Sequence, residues 1–151
     1  GYAAGPKDLI AAMSKIQGQS TSDPTSISQK AAVAALNGGS EFFEDMVKDL
    51  RPNRDFVVKQ LNAISGVTCP TPAGAFYAYP KNAGLLGRRH SRGTISTASD
   101  LATYLLEEVH LACVPGEPFG SPSHLRLSYT PAIETIQKGL ERLRSAISAL
   151  T

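Results

Sequence analysis

Tryptophan is absent from these 151 residues, and cysteine and methionine occur only twice each. Cys69 and Cys113 lie far apart. They make neither the disulfide framework of a small secreted domain nor the paired spacing of a metal site. Both are expected as small buried hydrophobes, and no metal is expected. No apolar run approaches the roughly 20 residues that span a bilayer, so no membrane partner is expected. An excess of one charge is also missing. Fifteen basic residues against 13 acidic ones leave a net charge of +2, too little to imply a nucleic-acid partner. The motifs G-x-G-x-x-G, Walker loop, H-E-x-x-H and G-x-S-x-G are all missing, which removes the commonest dinucleotide, nucleotide, zinc-protease and serine-hydrolase readings. The opening GYAAGPKDL lacks the basic start and apolar core of a signal peptide. A reducing, cytoplasmic setting is expected. GYAAG itself reads as a short apolar strand with no lead-in, so the chain is expected to be a fragment or a processed piece.

What is present suits a globular domain with a real core: 42% of residues are hydrophobic and 19% charged. Gly5-Pro6 opens a first helix with Leu9, Ile10, Met13 and Ile16 on one stripe. Turn formers around Asp23-Pro24 stop it. A second, alanine-rich helix runs from about Ser26 to Leu36 and ends at Gly38-Gly39. Ser40 caps a third, which reaches about Ile64. Its stripe holds Phe42, Phe43, Met46 and Leu50, then Phe56, Val57, Leu61 and Ile64, with a kink expected at Pro52.

Beyond residue 64 the pattern changes. GVTCP, GAFYAYP, LACVP and HLRLSY read as short strands bounded by glycine and proline. Between them lie a loop carrying Lys81, Arg88, Arg89 and Arg92, and an amphipathic helix over 99–110 closed by His110. A last helix repeats Ile133, Ile136, Leu140, Leu143, Ile147 and Leu150. The order predicts an α+β fold, a small sheet covered by helices.

Residues that carry chemistry are few. His90, His110 and His124 are scattered, and the acidic pairs Glu44-Asp45 and Glu107-Glu108 sit on solvated helix faces. Arg126 is the better candidate. Alternation in HLRLSY puts His124, Arg126 and Ser128 on one face and Leu125, Leu127 and Tyr129 on the other. A guanidinium on a rigid strand offers a planar fork that matches a carboxylate. A polar edge strand facing water explains the same pattern, and the residues alone favour it. Phe76 and Phe119 flank turns where they could wall a pocket, with core packing as the plainer reading.

Taken in order, GYAAGPKDLIAAMSKIQGQSTSDPTSISQKAAVAAL, PAGAFYAYP, VPGEPFG and HLRLSY resemble the C-terminal part of class I aminotransferases of fold type I, nearest to the bacterial aspartate aminotransferase branch. The resemblance implies an enzyme that uses pyridoxal 5'-phosphate to move an amino group between an amino acid and a 2-oxo acid. It implies that Arg126 binds the substrate α-carboxylate and that Phe76 lines the substrate pocket. A turn of the family that reaches the neighbouring subunit's site in a homodimer matches Ser22-Asp23-Pro24, with aspartate where asparagine is usual. The resemblance therefore implies Ser22 as a candidate contact in trans. Gly18 stands where one branch places an arginine for a dicarboxylate side chain.

The resemblance also divides the chain. Residues 1–38 correspond to the end of the large cofactor domain, and 39–151 to the small domain with its linking helix. The family's Schiff-base lysine lies in a segment directly before GY. No residue of this chain matches it, so no catalytic residue is assigned, the piece alone is expected to be inactive, and it is expected to bind no cofactor. Two alternatives stay open: a related lyase or synthase of the same fold, and a non-catalytic domain that binds carboxylates or partner subunits.

Overall fold

The structure, a computed structural model, describes residues 2–151 apart from the side chain of Phe42. Gly1, at the head of the expected first strand, and Phe42, on the expected stripe of the third helix, therefore lie outside the described residues. The chain divides into two units, one up to residue 42 and one from Phe43 to Thr151.

The first unit is two helices made by local signals. α1 spans Lys7–Ser20 behind Pro6, and α2 spans Ser26–Asn37. The Thr25 side chain accepts the Ser28 N–H to cap α2, and the Gln29 amide donates to the Pro24 carbonyl at 2.8 Å. Gly38 closes α2, and the left-handed turn follows at Gly39, φ 82°. No residue of either helix is buried within this unit, and Leu9, Ile16, Ile27 and Leu36 stand exposed. Among the described residues, no strand pairs with 2–5, so the strand expected at the start is absent here.

The second unit holds the core. α3 (Glu41–Asn62) enters it and continues through Pro52. Its second half buries Val57, Val58 and Leu61, while Met46 and Val47 in the first half stay exposed. α4 (Ala98–Val109) buries Leu101 and Leu105, and α5 (Ile133–Ser148) buries Ile136, Leu140, Leu143 and Ile147. The three-to-four spacing in the sequence produces these faces directly. The Tyr104 hydroxyl donates to the Ala146 carbonyl at 2.9 Å and ties α4 to α5.

The strands are short. β1 is Tyr77–Ala78, β4 is Val114–Pro115 and β5 is Leu125–Ser128. They form an antiparallel sheet in the order β1-β5-β4, with Tyr77 opposite Ser128 and Val114 opposite Arg126. β5 is therefore the central strand, which corrects the edge-strand reading of HLRLSY. Its back is apolar as expected: Leu125 is 1% exposed and Tyr129 3%.

Two further expectations need correction. GVTCP makes only an isolated bridge from Thr68 to Lys81. Asn62 takes both polar groups of the Cys69 backbone, each at 2.8 Å, so no ladder extends there. The basic loop is not simply irregular. It contains a 3-10 turn over Ala83–Leu85 and a hairpin of β2 (Arg89–His90) with β3 (Gly93–Thr94). Arg92 pairs with Glu107 at 3.0 Å and Glu108 at 2.7 Å, so those acids are not bare solvated charges.

Tyr129, just past β5, is tied on three sides. Its N–H donates to the Phe76 carbonyl at 3.1 Å and its hydroxyl to the Ala75 carbonyl at 2.8 Å. Its own carbonyl accepts from the Asn53 amide of α3 at 3.2 Å.

Candidate functional site

Alternation along β5 and its register with both neighbours place Arg126, Ser128, Tyr77 and Val114 on one face of the sheet. The Arg126 Cζ lies 4.5 Å from the centre of the Tyr77 ring and 4.7 Å from that of Phe119. A cation over a ring face is attracted by the negative face of the aromatic quadrupole. Among the described residues, no carboxylate lies within ion-pair distance of Arg126. Its cation lies over two rings rather than against an acid.

Phe119 reaches that position on a 3-10 turn, Glu117–Phe119, inside the sequence VPGEPFG. The Phe119 N–H and the Ser121 N–H both donate to the Gly116 carbonyl, at 2.9 and 3.0 Å. Gly120 closes the turn in the left-handed region at φ 74°. A Cβ on Gly116 would sit 2.8 Å from the Tyr79 hydroxyl and 2.8 Å from the His124 carbonyl, so the backbone there has no room for a side chain. The acid of this loop is committed elsewhere. The Glu117 carboxylate accepts the Ser99 N–H at 2.9 Å. Burial pushes its pKa up, but this and other hydrogen bonds at the start of α4 outweigh it and hold the carboxyl below its usual range.

Beside Arg126 opens a cavity of about 220 Å³ lined by Tyr77, Ala112, Cys113, Val114 and Ser128. Burial pushes the Cys113 thiol up to about 11. It is neutral at pH 7, neither a nucleophile nor a competing anion. Phe76 lines a second cavity, of about 260 Å³, with Met46, Leu50, Arg51, Arg54 and Tyr129. Arg126 and Phe76 thus do not share a cavity. Tyr77 joins them: its ring centre is 4.5 Å from that of Phe76 as well as 4.5 Å from the guanidinium.

Phe76 and Phe119 are 43% and 51% exposed, so neither ring packs into the core of this chain. Tyr77 is a residue of this group that the sequence pattern alone does not single out. Its signal is its position, one residue after Phe76 on the face that alternation assigns to Arg126. His124 stacks on Tyr79 with ring centres 4.9 Å apart, His90 tilts against Tyr104, and His110 caps α4 in the left-handed region. Among the described residues, no group of three or more His, Cys, Asp or Glu is placed to hold a metal. In the first unit Ser22 has φ 61°, and its N–H donates to the Gln17 carbonyl at 3.0 Å past the end of α1.

The family model for aminotransferase class I and II matches residues 1–143. The chain belongs to the class I and II aminotransferases. This aminotransferase chain is 45% identical to an aspartate aminotransferase of Rhizobium meliloti (strain 1021) over 152 residues. It is 43% identical to an aspartate/prephenate aminotransferase of Cereibacter sphaeroides. Those alignments cover all of this chain but 37% and 38% of the relatives, so the chain spans little more than a third of their length. Among solved structures, the aspartate aminotransferase of Rhizobium meliloti superposes with a TM-score of 0.83 at 43% identity, over 99% of this chain and 38% of that one. A Thermus thermophilus aspartate aminotransferase with maleate gives 0.74 at 33% identity, over 95% and 35%. The mixed fold of a small sheet under helices is that of these aminotransferases.

The family implies pyridoxal 5'-phosphate, and the residues of this aminotransferase chain do not fit it as its anchors. All seven lysines are exposed, and none lines the cavity beside Arg126 or the one beside Phe76. What the site can do chemically is bind a carboxylate.

Proposed function

We propose that the protein is an aminotransferase that moves an amino group between an amino acid and a 2-oxo acid, with aspartate as the amino acid its relatives' names favour. Pyridoxal 5'-phosphate, for which this chain offers no anchoring lysine, would supply the electron sink when bound. This chain supplies the carboxylate handle. Arg126 binds the substrate α-carboxylate, Phe76 lines the adjoining wall, and Ser22 contacts the site of a neighbouring subunit in a homodimer. Residues 1–38 complete the large domain and 39–151 form the small one. The observation that supports this reading most is the Arg126 guanidinium, fixed on a central strand with no acidic partner beside it among the described residues.

The test is Arg126→Lys in the full-length enzyme. Lysine keeps the charge and loses the planar fork. A charge-assisted hydrogen bond contributes about 1.5–3 kcal/mol, so kcat/KM for aspartate falls by roughly one to two orders of magnitude. Unchanged steady-state kinetics would remove Arg126 from the site.

A further inference from the structure

We propose that Tyr77 and Phe119 are positioning residues that order the Arg126 guanidinium before any carboxylate arrives. The inference rests on the reading of Arg126 as the carboxylate handle, and it names the parts that aim the handle. A guanidinium has two kinds of surface. Its flat faces attract aromatic rings, and its edge carries five N–H donors in one plane. The rings of Tyr77 and Phe119 each meet the central Cζ, at 4.5 and 4.7 Å. Both rings take the cation over their faces, and among the described residues no hydrogen bond or ion pair engages its N–H edge, which suits a bidentate carboxylate. An aspartate or glutamate partner would hold the same side chain only by occupying the fork and cancelling its charge.

The alternatives for these rings are weak. Phe119 is 51% exposed, so core packing does not explain it. Its loop is nevertheless shaped around a glycine with no space for a Cβ, and the turn delivers the ring to Arg126. Among the described residues, the Tyr77 hydroxyl makes no hydrogen bond to the protein, so its ring is the part in use. The third ring of the group, Tyr79, meets Phe119 edge-on with centres 6.5 Å apart and supports it from the side.

The experiment uses the full-length enzyme with Tyr77→Leu, Phe119→Leu, the ring-keeping Tyr77→Phe and Phe119→Tyr, and Arg126→Lys in parallel. KM and kcat are measured with aspartate, and Ki with succinate as a non-reacting dicarboxylate. Each leucine variant is expected to raise KM and the succinate Ki by about fivefold to thirtyfold, the range of a partly desolvated cation–π contact, with kcat changed much less. The ring-keeping variants recover most of that loss, which a merely structural defect would not do. If Arg126→Lys is impaired while both leucine variants stay within twofold of the parent, the positioning role is overturned and the carboxylate assignment survives. An unaffected Arg126→Lys enzyme overturns both. Should Tyr77→Leu fail to fold, the Phe119→Leu and Phe119→Tyr pair decides alone.

Discussion

Asp100 does two things at the head of α4. Its Oδ2 accepts the N–H groups of Ser96 and Thr97, both at 2.9 Å, while the Thr97 hydroxyl accepts the Asp100 N–H at 3.0 Å. This reciprocal capping box satisfies backbone donors that the helix itself leaves free. The Thr97 hydroxyl first, then the Ser96 N–H, hold the carboxyl below its ordinary value of 3.8. A carboxylate whose folded pKa is depressed stabilises the fold above its unfolded pKa, and that contribution fades as pH falls through the folded one. Melting temperature is therefore expected to drop as the pH goes from 5 to 3. Asp100→Asn should flatten that acid limb and lower the melting temperature at pH 7. A pH–melting profile identical to the parent would contradict this. In the sequence the helix reads as starting at Ser99, one residue inside its true start at Ala98. The usual signature of the box carries Glu or Gln at that place, so Asp100 does not mark the start by pattern alone.

At the scale of elements, helices were easy to read and strands were not, for a physical reason. α4 and α5 each repeat apolar residues over three or more turns, so their buried faces follow from spacing. β1 and β4 are two residues long, too short to show a period of two. Turn chemistry misleads as well. In PAGAFY the glycine is Gly74, yet the left-handed backbone falls on Ala75 at φ 58°. The hydrogen bond from the Tyr129 hydroxyl to the Ala75 carbonyl comes from 54 residues away and is invisible locally. Strand order is equally non-local, which is why β5 read as an edge. The loop that carries Phe119 gives a direct test of element-level fit. Gly116→Ala adds one methyl where the Tyr79 hydroxyl and the His124 carbonyl already stand. Overpacking of this kind costs about 1–3 kcal/mol. Urea unfolding should register that loss, and KM for aspartate should rise in the full-length enzyme as Phe119 shifts. A variant as stable as the parent would show that the loop relaxes freely.

On the scale of the whole molecule, the chain holds the proposed carboxylate site but no lysine placed beside it. Its lysines are all exposed and lie outside both cavities of the site. The 151-residue chain by itself, supplied with pyridoxal 5'-phosphate, aspartate and a 2-oxo acid, is therefore expected to form no amino-transfer product. Turnover above the rate of the free cofactor would overturn the assignment of roles between this chain and the rest of the enzyme. The site itself was legible only in part. Arg126 stood out once four motifs were taken in order, because a charged residue on a short strand is ambiguous alone. The contact of Phe119 with Arg126 needed a turn geometry that no spacing rule encodes.

The three bonds at Tyr129 have a mechanical meaning. Through them β5, the 75–76 segment and the Asn53 region of α3 form one stiff body, with Arg126 three residues from the joint. The backbone that carries Arg126 and the backbone of Phe76 therefore belong to one hydrogen-bonded frame.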